Sequence, residues 1–333
     1  MKTKLAVLAA LAFAAVPLAG LAQPYAGKTV TIIVGYKPGG GYDRTARLLA
    51  RYLPNHIPGK PTVIVQNMPG ANSLIAANHV YSVAKPDGMT IGTFNRNLPI
   101  AQLTKVDGVK FDMTKFAWIG SAASESTILA IRSDLPYRNF DELRKSGKQI
   151  VIGATGPGAN TYDFPLLLKE LLGVNIKIVS GYSSSSDIML AIERKEVDGR
   201  AGSLSSITPF IDRKLVHPVI RARASEPGIE QLPVDESLAP NARAKAIMAL
   251  RSAPEIVGRP YVMTPGTPAE LLQTMRTAFA SAIKDPALMA EAKKAKAELD
   301  YTPADKALEV MKEVLNQPKD VVEEFSKYIK FGE

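Results

Sequence analysis

Two segments of the sequence place a glycine-rich loop between an apolar run and a helix-like stretch, and each could hold an anion. The first runs from Val30 to Arg47 and the second from Gln149 to Leu168. Such a loop leaves backbone N–H groups free at a helix N-terminus, where the helix dipole favours negative charge. Two such loops, far apart in the chain, predict two α/β lobes that share a cleft. The predicted ligand is a small anion.

The first loop is the richer in glycine. Gly39, Gly40 and Gly41 carry no side chains, so a ligand can approach the main chain closely. Asp43 falls in the first helical turn, where a carboxylate can cap free amides. A plain strand-to-helix connection is the alternative interpretation, because short glycine loops are common connectors. The spacing matches neither a dinucleotide fingerprint nor a P-loop, because Arg44 stands where G-x-G-x-x-G needs glycine and no Gly-Lys-Ser/Thr follows.

Hydrolytic and metal chemistry lack the residue patterns they need. The sequence contains no G-x-S-x-G elbow and no cysteine. His56, His79 and His217 lie far apart without metal-ligand spacing, and we expect them to be surface or locally satisfied histidines. We therefore expect a protein that is not an enzyme and holds neither a metal nor a cofactor.

The N-terminus has the pattern of a secretory signal peptide. Lys2 and Lys4 precede an apolar run from Leu5 to Val16, and small residues lead to Ala22. This run is shorter than the roughly 20 apolar residues of a membrane span. We expect cleavage near Ala22 and a mature periplasmic chain that begins at Gln23.

The charge pattern argues against nucleic acid as a partner. The formal net charge is +9, but the basic residues are dispersed among acidic ones and form no block interleaved with aromatics. A solvated basic surface is the better interpretation, and such a surface can raise the local concentration of anions.

Apolar runs alternate with amphipathic stretches along the chain, which indicates β-α-β units. The predicted strands are 29–34, 62–66, 90–94, 117–120, 128–132, 149–154, 176–180, 200–203 and 219–222. The predicted helices are 42–52, 73–84, 139–146, 161–172 and 186–196, with two packing helices that begin near Thr267 and Thr302. We expect an α/β fold of two lobes, each an open, mainly parallel sheet flanked by helices.

A series of short motifs resembles the substrate-binding proteins of tripartite tricarboxylate transporters, often called Bug-type receptors. The motifs are Tyr36–Asp43 followed by Ala46-Arg47, Asn67–Ala71, Pro86–Thr90, Gly153–Gly158 and Thr264–Pro268. Their order and spacing extend the resemblance over nearly all of the mature chain.

The resemblance implies a periplasmic binding protein that closes on a carboxylated solute and hands it to a membrane permease. After a signal peptide at 1–22, it implies that residues 23–122 and 219–333 form lobe one and that residues 123–218 form lobe two. In similar proteins the Pro38–Asp43 loop and the Gly153–Tyr162 loop clasp one carboxylate, partly through ordered water. The candidate ligand-binding residues are Tyr36, Lys37, Pro38, Gly39, Gly40, Gly41, Asp43, Thr155, Gly156, Gly158, Asn160, Thr161, Tyr162, Tyr182, Ser183 and Ser203.

Departures from the family pattern bear on specificity. Tyr162 stands where the family usually has histidine, and Lys37 where it has proline or alanine. Lys37 either ion-pairs with a second carboxylate or only shields the cleft mouth. Tyr182 and the serines from Ser183 to Ser186 either offer hydroxyls to the distal end of the ligand or cap the next helix.

Three functions stay open on the sequence alone. The favoured one is a monomeric solute receptor that feeds a carboxylate permease. The second is a receptor of the same fold that signals to a membrane sensor. The third is an exported hydrolase that acts on a carboxylated substrate.

Overall fold

The computed structural model describes residues 23–295, 297 and 299–329, so the predicted signal peptide lies outside the described residues. The strands are β1 (Thr29–Val34), β2 (Thr62–Asn67), β3 (Thr90–Thr93), β4 (Ala117–Ser121), β5 (Thr127–Arg132), β6 (Ile150–Gly153), β7 (Ile176–Val179), β8 (Gly199–Ser203), β9 (Val216–Arg221), β10 (Pro260–Met263) and β11 (Thr302–Pro303). Short 3₁₀ turns cover Leu53–His56, Ala71–Ser73, Asp235–Leu238 and Ala253–Val257.

The α-helices are α1 (Gly41–Tyr52), α2 (Leu74–Ser82), α3 (Leu98–Leu103), α4 (Phe140–Ser146), α5 (Asn160–Leu172), α6 (Ser185–Glu193), α7 (Leu204–Asp212), α8 (Ala242–Ser252), α9 (Ala269–Ile283), α10 (Pro286–Lys294), α11 (Ala304–Leu315) and α12 (Lys319–Tyr328). Within the part of the chain that the structure describes, no helix combines the length and the apolar character needed to span a bilayer.

Two sheets form the two lobes, which confirms the predicted α/β fold. The first sheet has the order β11-β4-β10-β3-β1-β2, and the second has the order β7-β6-β8-β5-β9. β1 pairs in parallel with β2 and β3, and β6 pairs in parallel with β7 and β8. The sheets are mixed rather than mainly parallel. In each sheet one strand runs antiparallel to both of its neighbours, β10 in the first sheet and β5 in the second. Each of these is the first strand that the chain forms after it crosses from the other lobe.

The inner strands, such as β1 and β5, are buried on both faces, as expected where helices cover a sheet from two sides, whereas the edge strand β2 is partly exposed. On β1, Ile32 packs in a cluster with Leu49, and the next residue, Ile33, packs in a different cluster with Phe94. This alternation follows from the period of two along a strand. The second sheet likewise divides its buried side chains between two clusters.

Two of the segments that join the lobes lie side by side, residues 122–126 and residues 253–259. Their main chains hydrogen-bond to each other from Ala122 N to Arg259 O at 2.9 Å, from Arg259 N to Ala123 O at 3.2 Å and from Glu125 N to Glu255 O at 2.9 Å. These two segments therefore form a hydrogen-bonded pair, and the chain crosses between the lobes once more between α11 and α12.

The structure corrects the predicted boundary of lobe two. β9 pairs with β5, with Leu129 opposite Ile220, so the chain is still in the second sheet beyond Val219. It returns to the first sheet only at β10, and α12 then packs back on lobe two, where Phe325 joins a cluster with Ile247. The apolar pattern of β9 indicates a strand but carries no information about which sheet it joins.

Candidate functional site

A cavity of about 80 Å³ lies between the lobes, at the carboxyl ends of β3, β6 and β8. The N-termini of α1, α5, α6 and α7 face it, because Gly41, Asn160, Ser185 and Ser203 are among its lining residues. Four helix dipoles therefore direct their positive ends towards one shared volume. The cavity has room for several water molecules, or for a small organic molecule in their place.

The first glycine loop brings main chain to the cavity. Gly40 precedes α1 in an extended conformation and Gly41 is the first helical residue. A Cβ at position 41 would collide with the guanidinium of Arg259, so the glycine is what lets this cation lie against the helix start. Tyr42 completes this wall, with Arg259 stacked over its ring at 4.4 Å from the centroid.

Asp43 holds the loop in shape from outside the cavity. Its carboxylate is 2% exposed and accepts hydrogen bonds from Gly39 N at 2.9 Å, Asn67 Nδ2 at 2.9 Å and Arg47 Nε at 3.0 Å. Burial pushes the pKa of Asp43 up, but these hydrogen bonds outweigh burial and hold the pKa below its usual value. Asp43 is therefore ionised at neutral pH and positions the loop.

The second glycine loop is held in a similar way. Thr155 N donates to Thr161 Oγ1 at 3.0 Å, and Gly158 N donates to Asp163 Oδ1 at 2.8 Å. Burial raises the pKa of Asp163 to about 7, although the Gly158 N–H and the charge of Arg251 oppose this. Both loops thus use an aspartate in the first helical turn to bind an amide of the glycine segment before it.

Three buried arginines line the cavity, and two of them share one carboxylate. Arg259 lies 2.7 Å from Glu125 and Arg96 lies 3.9 Å from the same carboxyl group. Burial opposes the charge of Arg259, but Glu125 holds its pKa above the usual value. Glu125 stands on the first lobe-joining segment, so the positive wall of the cavity is anchored where the lobes meet.

The third arginine, Arg200, has no such partner among the described residues. It is 1% exposed and donates to Met189 Sδ at 3.1 Å and to Ser206 Oγ at 2.7 Å, which are neutral acceptors. Burial and the positive charge of Arg44 lower the pKa of Arg200 to about 9. Arg200 remains protonated at neutral pH, so the cavity wall contains a buried positive charge without a carboxylate beside it.

Direct hydrogen bonds tie the two lobes together around the cavity. Ser186 Oγ donates to Gly39 O at 2.8 Å, and Asn95 Nδ2 donates to Gly158 O at 2.8 Å. Arg96 reaches across the same gap, since its Nη2 donates to Thr127 Oγ1 at 2.9 Å. The structure is therefore that of closed lobes.

A strained turn next to the cavity makes a further contact across the lobes. Ala71, Asn72 and Ser73 have positive φ angles of 43°, 48° and 80°, which cost free energy in residues other than glycine. Ser73 Oγ donates to Gly35 O at 3.1 Å and secures the turn within lobe one. Asn72 Nδ2 donates to Pro157 O of lobe two.

The structure divides the candidate residues into three groups. Those that line the cavity are Tyr36, Gly40, Gly41, Thr155, Asn160, Thr161 and Ser203. A neighbouring pocket of about 330 Å³ is lined by Lys37, Tyr182 and Ser183, together with Tyr36 and Thr155. Neither set of lining residues includes Pro38, Gly39, Asp43, Gly156, Gly158 or Tyr162.

The cavity is also lined by residues outside the set of candidate ligand-binding residues. These are Tyr42, Asn95, Arg96, Ala159, Ser184, Ser185, Arg200, Gly202, Ser206 and Arg259. Ser184 is in addition the N-cap of α6, where it accepts from Asp187 N at 3.3 Å, as one interpretation of the serine run predicts. The sequence contains one signal for two of these arginines. Arg200 lies within a strand and Arg96 lies just after one, and both interrupt runs of residues that are otherwise buried.

Comparison with known proteins identifies the family. The sequence matches the tripartite tricarboxylate transporter family receptor over residues 46–326. The chain belongs to this receptor family. Its members are periplasmic solute-binding proteins, in agreement with the predicted resemblance.

One curated relative of this receptor is the UPF0065 protein in the gbd 5′ region of Cupriavidus necator. It is 30% identical over 198 residues, which are 56% of this chain and 57% of the relative. The chain thus matches little more than half of that protein's length.

Solved structures share the fold of this receptor. The periplasmic binding protein BugD has a TM-score of 0.74 at 23% identity and covers 92% of this chain and 100% of its own. MatC from Rhodopseudomonas palustris, with bound malate, has a TM-score of 0.72 at 19% identity. The match covers 89% of this chain and 99% of MatC. Another R. palustris protein, with adipate, has a TM-score of 0.72 at 19% identity. The match covers 91% of this chain and 98% of that protein.

Proposed function

We propose that this receptor captures a small organic carboxylate between its lobes and delivers it to the membrane subunits of a tripartite tricarboxylate-type permease. The observation that carries the proposal is the buried guanidinium of Arg200, which faces the cavity without a carboxylate beside it. A buried cation of this kind costs several kcal/mol unless an anion accompanies it. The malate and adipate held by two proteins of the same fold support a carboxylate as that anion.

The binding mechanism follows from the residues around the cavity. The amides at the starts of α1 and α5 can donate to carboxylate oxygens, and hydrogen bonds to a charged acceptor contribute about 1.5–3 kcal/mol each. The cross-lobe hydrogen bonds, such as Ser186 to Gly39, keep the cavity wall assembled and limit its contact with water. Closure therefore strengthens the electrostatic attraction, because the effective dielectric constant falls.

We propose binding without turnover. The residues that line the cavity are glycine, alanine, serine, threonine, tyrosine, asparagine and arginine, so none of these lining residues is a histidine or a carboxylate that could serve as a general base. His56 instead pairs with Asp285 at 2.9 Å, away from the cavity. We also propose that the protein acts as a monomer in the periplasm, after removal of residues 1–22.

Thermal unfolding of the mature chain against a panel of mono-, di- and tricarboxylates, aliphatic and aromatic, tests the capture step. A ligand that binds only the folded state adds about 2.7 kcal/mol of stability at a hundredfold excess over Kd. We expect a rise in Tm with one chemical group of acids and no product on prolonged incubation. No rise with any acid, in protein freed of co-purified ligand by unfolding and refolding, would contradict the proposal.

The delivery step needs a separate experiment. Uptake of the labelled acid by cells that lack this receptor should fall, and expression of the wild-type chain should restore it. Unchanged uptake with intact binding would favour a signalling receptor over a transport receptor.

A further inference from the structure

We propose that Arg200 is a specificity-determining residue that pairs with a second acidic group of the ligand, so that the site selects doubly charged acids over singly charged ones. This inference rests on the proposed function, because it takes the cavity between the lobes as the carboxylate site. It goes further by assigning the choice between ligands to one side chain.

The first argument is the surroundings of the Arg200 guanidinium. Its hydrogen-bond acceptors are the thioether of Met189, the hydroxyl and carbonyl of Ser206 and the carbonyl of Ala201. All of these acceptors are uncharged, and no acidic side chain of the described residues lies within ion-pair distance. An arginine buried for structural reasons is normally paired with a carboxylate, because an unpaired buried charge is destabilising.

The second argument is that the backbone of β8 makes room for this side chain. Gly202 lines the cavity, and a Cβ there would approach Arg200 Nη1 to 2.6 Å. A larger residue at position 202 would push the guanidinium away from Ser206. The strand sequence Gly199-Arg-Ala-Gly-Ser203 thus places a long cation among small residues, directed to the cavity.

The third argument is the balance of charge. Three arginines line the cavity, and the single carboxylate of Glu125 pairs with two of them, Arg259 and Arg96. The three arginines and Glu125 together carry a net charge of two positive units. The exposed Arg44 makes the electrostatic potential at Arg200 still more positive. A singly charged ligand leaves one buried guanidinium without a counter-charge, whereas a doubly charged ligand neutralises both.

The experiment compares acids that differ by one charge and little else. The probes are the unbranched dicarboxylates from malonate to adipate and the monoamide of each, such as succinate with succinamate. Binding is measured by calorimetry and by the shift in Tm. The variants are Arg200→Met, Arg200→Lys and, as a control, Arg213→Gln, whose arginine is exposed on the same lobe and pairs with Glu193 at 2.8 Å.

We expect the wild-type chain to bind at least one diacid about 10- to 100-fold more tightly than its monoamide, the ratio expected for one charge-assisted pair. Arg200→Met should reduce this ratio to below about threefold, while Arg200→Lys keeps part of it and Arg213→Gln keeps all of it. The ligand-free Arg200→Met protein should unfold at or above the wild-type Tm, because an uncompensated buried charge is gone.

Two results would overturn the inference while leaving the proposed function intact. One is equal wild-type affinity for a diacid and its monoamide. The other is an Arg200→Met protein that loses affinity for both in the same proportion and unfolds at a lower Tm, which identifies Arg200 as a structural residue. A wild-type chain that binds none of these acids and none of the wider carboxylate panel would instead refute the proposed function, and the inference with it.

Discussion

Replacing Asp43 by alanine should loosen the first glycine loop and destabilise lobe one. Its bonds to Gly39 N and Asn67 Nδ2 contribute about 1.5–3 kcal/mol each, since the acceptor is charged and buried. The Arg47 side chain is 48% exposed, so its ion pair contributes at most about 1 kcal/mol. Part of the loss is recovered when water reaches the freed amides. We therefore expect a loss of about 2–4 kcal/mol in the free energy of unfolding at pH 7.

The stability that Asp43 contributes depends on pH in a definite direction. Hydrogen bonds hold the folded pKa of Asp43 below its usual value against the effect of burial. Its contribution is therefore complete above the unfolded pKa of about 3.9 and disappears as the pH falls through the lower folded pKa. The difference between wild type and Asp43→Ala should be constant from pH 5 to pH 7 and should shrink below about pH 4.

Urea unfolding followed by circular dichroism at pH 7, 5 and 3.5 measures both effects. Asp141→Ala is the matched control, because Asp141 also lies in a first helical turn but is 68% exposed and pairs only with Lys145 at 3.6 Å. The urea midpoint of Asp141→Ala should differ little from that of the wild type. An Asp43→Ala midpoint equal to that of the control, or a difference that persists unchanged at pH 3.5, would refute the assignment of Asp43 as the residue that holds the loop.

Three further predictions concern the site. Gly41→Ala should displace Arg259 and weaken carboxylate binding at least tenfold by calorimetry. Asn72→Gly removes two cross-lobe hydrogen bonds, one to Pro157 O and a long one from Thr155 Oγ1, and relieves backbone strain, so affinity should fall about two- to tenfold while Tm is unchanged or higher. Burial raises the folded pKa of Asp163 to about 7, above its unfolded value of about 3.9, so stability falls as the pH rises between these two values. The gain in Tm of Asp163→Asn over wild type should therefore be larger at pH 8 than at pH 5.

Most of the fold could be predicted from local sequence patterns. The strand before the first loop and the helix after it appear at the predicted positions, because apolar runs, glycine and turn residues act over a few residues. β10 was not predicted, since it is a run of four residues that starts at Pro260 and shows no alternation. The sheet that β9 joins depends on contacts with β5, far away in sequence, and no local pattern specifies it.

The site was predictable where the main chain forms it. Gly40, Gly41 and Thr161 line the cavity because helix starts after glycine loops follow from residue type and spacing. The arginines were missed for a physical reason. Arg96, Arg200 and Arg259 come from three separate parts of the chain, and only the folded arrangement buries them together around the cavity. A charged residue within a buried strand, as at Arg200, is the pattern that could have indicated the site.

The ion pair between Arg259 and Glu125 has a mechanical consequence. It joins the two hydrogen-bonded segments that connect the lobes, and both side chains are almost completely buried. Pulling such a pair apart costs several kcal/mol, so we expect the pair to stay intact when the lobes open. The pair holds the two joining segments together and, through Arg259, also forms part of the cavity wall. This part of the wall should therefore keep its shape whether or not a ligand is bound.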